Sequence, residues 1–424
     1  MLLLHSYVWW RVVRSTTGAG RARRALTVLV VLLALLPVLA ILLRRTLSLD
    51  AAAPLDWVAY SWLGIAFYLF LTLLALEPVR LLARLWTPRG RNTTAIDTTD
   101  GRAEWAPEGS AQARSSGSAQ RGDGTWLRGD PEDRNVMDRN VTSPSRRVFL
   151  ARGLAATAGV VALGTVGTGA YLANSTPVVR RVPVTLTGLD PALDGLRIVS
   201  FSDAHLSSTY RGRRFERLVE LVNEQRPDVV AIVGDLMDGE VAELREEVAP
   251  LADLVSEQGV FFVTGNHEYF VDTRAWLRHL PTLGIDVLRN ERVPIGRAGA
   301  SFDLAGIDDR TAARSGVPGH GADLDAALDG RDDDVPVVLL AHQPYMVGQA
   351  QAAGVGLQIS GHTHAGQLWP FDYAIRMDQP AVQGLSRHGD TQLYVTAGAG
   401  YWGPPMRIGA RPEVTVVELR SPRS

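Results

Sequence analysis

Three long apolar runs in the first 175 residues limit what this chain can fold into. Ala25 to Leu43 reads ALTVLVVLLALLPVLAILL without a charged residue, and Leu55 to Leu76 is similar, with Asp56 at its edge. Each approaches the roughly 20 residues that an α-helix needs to cross a bilayer. Trp57, Tyr60 and Trp62 fall where an interfacial aromatic belt is expected. The third run, Gly153 to Ala173, is milder and rich in Gly, Ala and Thr.

The arginines then orient these spans. Arg11, Arg14, Arg21, Arg23 and Arg24 precede the first, and Arg80, Arg84, Arg89 and Arg91 follow the second. The loop between them has only Arg44 and Arg45, offset by Asp50 and Asp56. Positive charge stays on the cytoplasmic side, which places the N-terminus and the segment after Leu76 inside. Arg146, Arg147 and Arg152 hold the start of the third span inside, so the chain after Ala173 is expected outside; Arg180 and Arg181 oppose this weakly. Ser145-Arg146-Arg147-Val148-Phe149-Leu150 resembles a twin-arginine export signal at an unusual internal position, although a chance arginine pair before a membrane helix reads alike. No clear Ala-x-Ala site precedes Asn174, so the third span is expected to stay as an anchor.

The expected organisation is a membrane region over 1–86 with spans near 25–43 and 55–76, a disordered cytoplasmic linker over 87–145, the twin-arginine-like segment and third span over 146–176, and a globular domain over 177–424. The linker is rich in Arg, Asp, Gly, Ser and Thr, with too few aliphatic residues to offset chain entropy. The chain has no cysteine, which excludes thiol catalysis, disulfides and thiolate metal sites. It has no lysine either, which excludes phosphate-loop and Schiff-base chemistry. A net charge of -2 gives no reason to expect a nucleic-acid partner.

From Val178 onward, short apolar runs alternate with helical segments. Leu196–Ser200, Val229–Val233, Val260–Thr264, Val337–Ala341 and Leu357–Ser360 read as buried strands, with amphipathic helices over Phe215–Gln225 and Val241–Glu257. A polar cluster follows each strand: Asp203-Ala204-His205, Gly234-Asp235, Gly265-Asn266-His267-Glu268, Ala341-His342 and Gly361-His362-Thr363-His364. Sites in α/β sheets assemble at the carboxyl ends of strands. Roughly thirty residues separate the first three clusters, the length of a strand–helix–strand unit, so Asp203, Asp235 and Asn266 should share one edge. Five of the nine histidines fall in these clusters. Carboxylate, imidazole and amide oxygen suit Mn, Fe, Zn or Mg, and two such cations can clamp a phosphoryl group and activate a bridging water.

That ordered set resembles the calcineurin-like metallophosphoesterases, over about Val182 to Leu419. The Ser360–Gln367 string and the ending Arg407…Arg411-Pro412-Glu413-Val414 look like the bacterial membrane-associated branch, some of whose members are twin-arginine exported. The resemblance implies a four-layer sandwich of two mixed β-sheets flanked by helices, preceded here by transmembrane helices. It implies that Asp203, His205 and His364 hold one divalent metal ion, that Asn266, His342 and His362 hold another (Mn, Fe or Zn), and that Asp235 bridges them. His267 would assist the leaving group. Glu268 stands where many members have Asp. The expected activity is hydrolysis of a phosphodiester or phosphomonoester by a metal-bridging hydroxide, with lipid or envelope-derived esters among the expected substrates. The rivals are a pyrophosphatase acting on nucleotide-sugar or lipid-linked envelope precursors, a non-catalytic metal-bound membrane scaffold, and a catalytic domain facing the cytoplasm.

The other polar residues read more blandly. His279 lies on an expected helix, and His320 and His388 lie in glycine-rich loops. Asp308 and Asp309 are expected to cap a turn rather than bind substrate. Arg376, Arg387 and Arg407 are candidate phosphate contacts, since only arginine is available for that task.

Overall fold

The computed structural model describes residues 1–44, 46–86 and 146–422. The expected linker, 87–145, lies outside them, as does Arg45. The apolar region forms α1 Leu2–Val8, α2 Arg21–Leu43, α3 Leu49–Ala75, the amphipathic α4 Glu77–Trp86 and α5 Arg146–Ala173. Helices α2, α3 and α5 are each long and apolar enough to cross a membrane. Helix α3 starts ahead of its apolar run because Ser48 caps it, accepting a hydrogen bond from the Ala51 amide.

One side of α3 lies against the globular part of the chain. Asp50 pairs with Arg211, Asp56 accepts a hydrogen bond from Ser208, and Trp57 lies 5.3 Å beneath the Arg214 guanidinium. A Cβ at Gly64 would run into the Met406 side chain. One turn further on, the Tyr68 hydroxyl donates to the Trp369 carbonyl at 2.8 Å.

Twelve strands follow α5: β1 Val178–Thr185, β2 Arg197–Phe201, β3 Val229–Val233, β4 Val260–Val263, β5 Ile285–Val287, β6 Glu291–Arg297, β7 Ala300–Gly306, β8 Val337–Leu340, β9 Leu357–Ser360, β10 Gly384–His388, β11 Thr391–Val395 and β12 Glu413–Arg420. They form two six-stranded sheets, ordered β1-β12-β2-β3-β4-β5 and β10-β11-β9-β8-β7-β6. Both are mixed: β12 runs antiparallel to β2, β10 to β11 and β6 to β7, and the remaining pairs are parallel.

The alternation of side chains along the strands builds the layers. Ile198, Val229, Ala231 and Val233 face inward and meet Leu304, Val338, Leu340 and Ile359 of the other sheet. Val199, Phe201, Val230 and Ile232 face outward beneath α6 Arg213–Glu224 and α7 Val241–Val248, packing on Phe215, Leu218, Leu244 and Val248. Leu339 and Ala341 pack outward on Met346 and Ala350. The segment expected as one helix over Val241–Glu257 differs. Its α-helix ends at Val248 and continues as a 3-10 turn, Ala249–Asp253, because Pro250 has no N–H and its ring clashes with the preceding turn.

Candidate metal centre

The five polar clusters leave the ends of β2, β3, β4, β8 and β9 through sharp turns. Asp203, His205, Asp235, His362 and His364 adopt left-handed backbone conformations, with φ of 55°, 50°, 50°, 70° and 50°. Such a conformation costs a non-glycine residue roughly 1–2 kcal/mol, so the surroundings must hold it. Backbone bonds between turns do so: Asp203 N–H to Gly234 O and His205 N–H to Asp235 O, both at 3.1 Å. The His362 N–H adds a bond to the Asp203 carboxylate at 3.0 Å. Gly234, at φ 75°, must be glycine, since a Cβ there would lie 2.6 Å from Gly265 N and 2.7 Å from His342 Nδ1.

These turns bring every residue of the expected set to one place. Asp203, His205 and His364 present ligand atoms within 4.8 Å of one another, and so do Asp235, His342 and His362. Asn266, half-buried, stands in the turn between Gly265 and His267, and its buried Oδ1 has no hydrogen-bond partner. His342 is more telling. Its Nδ1 bonds the Val233 carbonyl at 2.8 Å and so carries the proton, which leaves Nε2 with a bare lone pair. That lone pair lies 3.1 Å from Asp235 Oδ2 and makes no hydrogen bond. An imidazole nitrogen and a carboxylate oxygen facing each other out of water need either a proton or a metal ion between them. His205 Nε2 and His364 Nε2 also face each other, at 3.0 Å. An orphaned amide oxygen, converging imidazoles and carboxylates fit divalent metal ions.

The electrostatics of the protein alone show the same strain. Burial resists charging His342, yet Asp235 and Asp203 raise its pKa well above the ordinary value. Burial, reinforced by neighbouring cationic groups, pushes His364 well below the ordinary value and His362 down to about 4. Burial raises Asp203, whereas Asp235 is held well below the carboxylate range despite its burial by His342 and His267. Both His362 and His364 are therefore neutral imidazoles, the form that binds metal.

Asp238 escaped the sequence reading. It accepts from His205 Nδ1 at 3.0 Å and from His267 Nδ1 at 2.6 Å, orienting one expected ligand and the expected leaving-group residue together. Burial opposes charging His267, but Asp235 and Asp238 outweigh it and lift its pKa to about 9. The available signal was position: Asp238 closes the turn that begins at Gly234, three residues beyond Asp235.

Glu268 holds the scaffold. Fully buried, it accepts the amides of Gly265, Asp235 and Leu236 at 2.6, 3.0 and 2.8 Å, pinning the β3 and β4 turns together. Its pKa rises to about 7, through burial first and then the charge of Asp235. Glu268→Ala orphans three buried donors and is expected to cost about 2–4 kcal/mol of stability, read as a lower melting temperature. Glu268→Gln keeps one acceptor oxygen and should cost less.

The remaining candidates divide clearly. Asp308 holds Arg289 through two bonds, and Asp309 accepts from Thr311 and Gln343, so both are structural. His320 is bonded to the Tyr269 hydroxyl, and His388 ends β10 instead of lying in a loop. Arg376 and Arg387 are exposed. Arg407 is no free phosphate contact, being fully buried and bonded to backbone carbonyls.

A two-sheet sandwich with histidine–carboxylate groups clustered on its strand ends defines an α/β scaffold whose donor groups are compatible with divalent metal ions. Comparison with known proteins narrows the class. The family signature described as calcineurin-like phosphoesterase matches residues 196–366. A transmembrane protein with a metallophosphoesterase domain from Danio rerio is 42% identical over 259 residues, covering 59% of each chain. An uncharacterized metallophosphoesterase from Helicobacter pylori is 36% identical, covering 65% of this chain and 73% of its own length. One from Bacillus subtilis is 30% identical, covering 65% of this chain and 98% of its own. The chain belongs to the calcineurin-like metallophosphoesterase family. It spans about three fifths of the length of the transmembrane relatives from Danio rerio and Bos taurus.

Proposed function

We propose that this chain is a membrane-anchored phosphoester hydrolase using two divalent metal ions, with residues 177–424 as the catalytic domain outside the cytoplasmic membrane. The observation that carries this is the pair of ligand groups, Asp203/His205/His364 and Asp235/His342/His362, meeting at buried Asp235 beside unpartnered Asn266 Oδ1. When bound, the cations (Mn, Fe or Zn) supply Lewis-acid activation of water and neutralise the phosphoryl charge. Asp203, His205 and His364 would hold one, and Asn266, His342 and His362 the other, with Asp235 shared. His267, its Nδ1 fixed by Asp238, has Nε2 left to donate a proton to the departing oxygen. The outside placement rests on the arginine distribution around α2, α3 and α5.

The test is hydrolysis of a chromogenic phosphodiester and its monoester by the purified full-length chain. Turnover should require Mn, Fe or Zn, disappear on chelation and return on adding metal back. His267→Ala is expected to lower kcat by about 10²–10⁴-fold with metal content unchanged. A folded, metal-loaded protein inert on both esters would favour a scaffold or a pyrophosphatase of narrow specificity. Protease accessibility in intact cells and spheroplasts tests the outside placement.

A further inference from the structure

The rim beside the metal centre is apolar and faces the membrane helices. Trp369, Tyr373 and Met377 are 54%, 64% and 84% exposed, and Phe371 lies among them. They follow directly from the turn bearing His364. A soluble domain rarely displays such a cluster without an apolar neighbour for it. Here helix α3 supplies that neighbour. The Phe371 ring stacks on Phe67 of α3 at 5.2 Å, and the Trp369 carbonyl accepts from Tyr68. Phe67 and Tyr68 fall within the apolar run of α3, which begins at Leu55. The rim therefore lies alongside the apolar part of the span.

The same apolar surface continues to the chemistry. Trp402 and Phe270, both exposed, set their rings 5.5 and 5.0 Å from that of His267. Gln367 ties the two parts of the rim together, donating to the Trp402 carbonyl and accepting from the Trp402 amide, both at 2.9 Å. Arg44, at the end of α2, donates to the Asp238 carbonyl, so the membrane hairpin borders the centre from another side.

We infer that the centre draws its substrate sideways from the adjoining leaflet, and that the phosphoester it cleaves belongs to a lipid whose chains lie against Trp369, Phe371 and Tyr373. This rests on the phosphoesterase reading above. Water adds to phosphorus, the P–O bond to the leaving alcohol breaks, and that oxygen takes up a proton.

Two measurements on the full-length chain in lipid vesicles test it. The first uses a series of p-nitrophenyl alkyl phosphates, in which the leaving group is constant and the chain grows from methyl to dodecyl. Wild-type kcat/KM should rise at least about tenfold along the series, since each buried methylene adds favourable transfer energy. In Phe371→Ser with Tyr373→Ser the ratio of dodecyl to methyl turnover should fall to about one. The second exploits the absence of cysteine. Spin labels on Phe371→Cys and Tyr373→Cys should be relaxed by lipid-dissolved oxygen more than by an aqueous nickel chelate. A label on Ser301→Cys, at the opposite end of the strands, should show the reverse. Flat turnover with chain length, or water-exposed labels at 371 and 373, would overturn the lipid reading alone. Inertness toward the whole series, methyl ester included, would overturn the phosphoesterase reading beneath it.

Discussion

Asp235→Asn is expected to lower metal-dependent kcat by about 10³-fold or more, and to reduce the number of metal ions retained per chain. The geometry concentrates this effect on one carboxylate. Asp235 Oδ1 accepts the His267 amide at 2.8 Å, while Oδ2 lies 3.1 Å from His342 Nε2 and 3.9 Å from His205 Nε2. One oxygen pair thus reaches both ligand groups. An asparagine has nearly the same shape and can still accept from His267, so the turn should survive. What disappears is the negative charge, and an N–H₂ group would point toward one of the imidazoles. Kinetics with metal analysis and circular dichroism on the same preparation separate this outcome from misfolding. Turnover within tenfold of wild type would sink the shared-ligand assignment.

The strand ends made this residue legible. Each cluster follows a short apolar run that reads as a buried strand, and α/β connectivity then brings consecutive ends to one edge. The sequence was less informative wherever a residue's role depends on partners from distant segments. Asp238 matters because His205 and His267, from different turns, both bond it. Helix α3 offers the same lesson. Its composition reads as apolar on all sides, yet Asp50, Trp57, Gly64 and Tyr68 lie along a side that contacts the globular part. Those spacings of seven, seven and four, which keep to one helix face, are visible in the sequence, but nothing local reveals which surface they meet. The masking of membrane and domain contact by a uniformly apolar helix is general, because lipid and protein interiors select similar side chains.

Arg407 is where charge pattern and structure part most sharply, and Arg407→Leu is the second large effect expected. An arginine near a phosphate site reads as a substrate contact, but this guanidinium is fully buried among main-chain oxygens. It donates to the carbonyls of Gly400, Ala397, Gly398 and His364 at 2.7, 2.6, 3.2 and 3.2 Å. Burial lowers its pKa to about 10, yet it remains a cation at neutral pH. Its own amide bonds Gly169 O at 2.9 Å, joining the end of α5 to the loop around His364. Leucine would leave the Gly400 and Ala397 carbonyls without their donor, while Gly398 O and His364 O keep the amides of Glu413 and Gln367; the loss is about 3–5 kcal/mol by analogy with removing one partner of a buried polar network. In the detergent-solubilised full-length chain this should lower the melting temperature by roughly 10 °C. Arg407→Lys should rescue little, because one ammonium cannot span the positions that a planar fork reaches. A phosphate contact would behave differently: either change would raise KM and leave the melting temperature where it was, and that result would return Arg407 to the substrate.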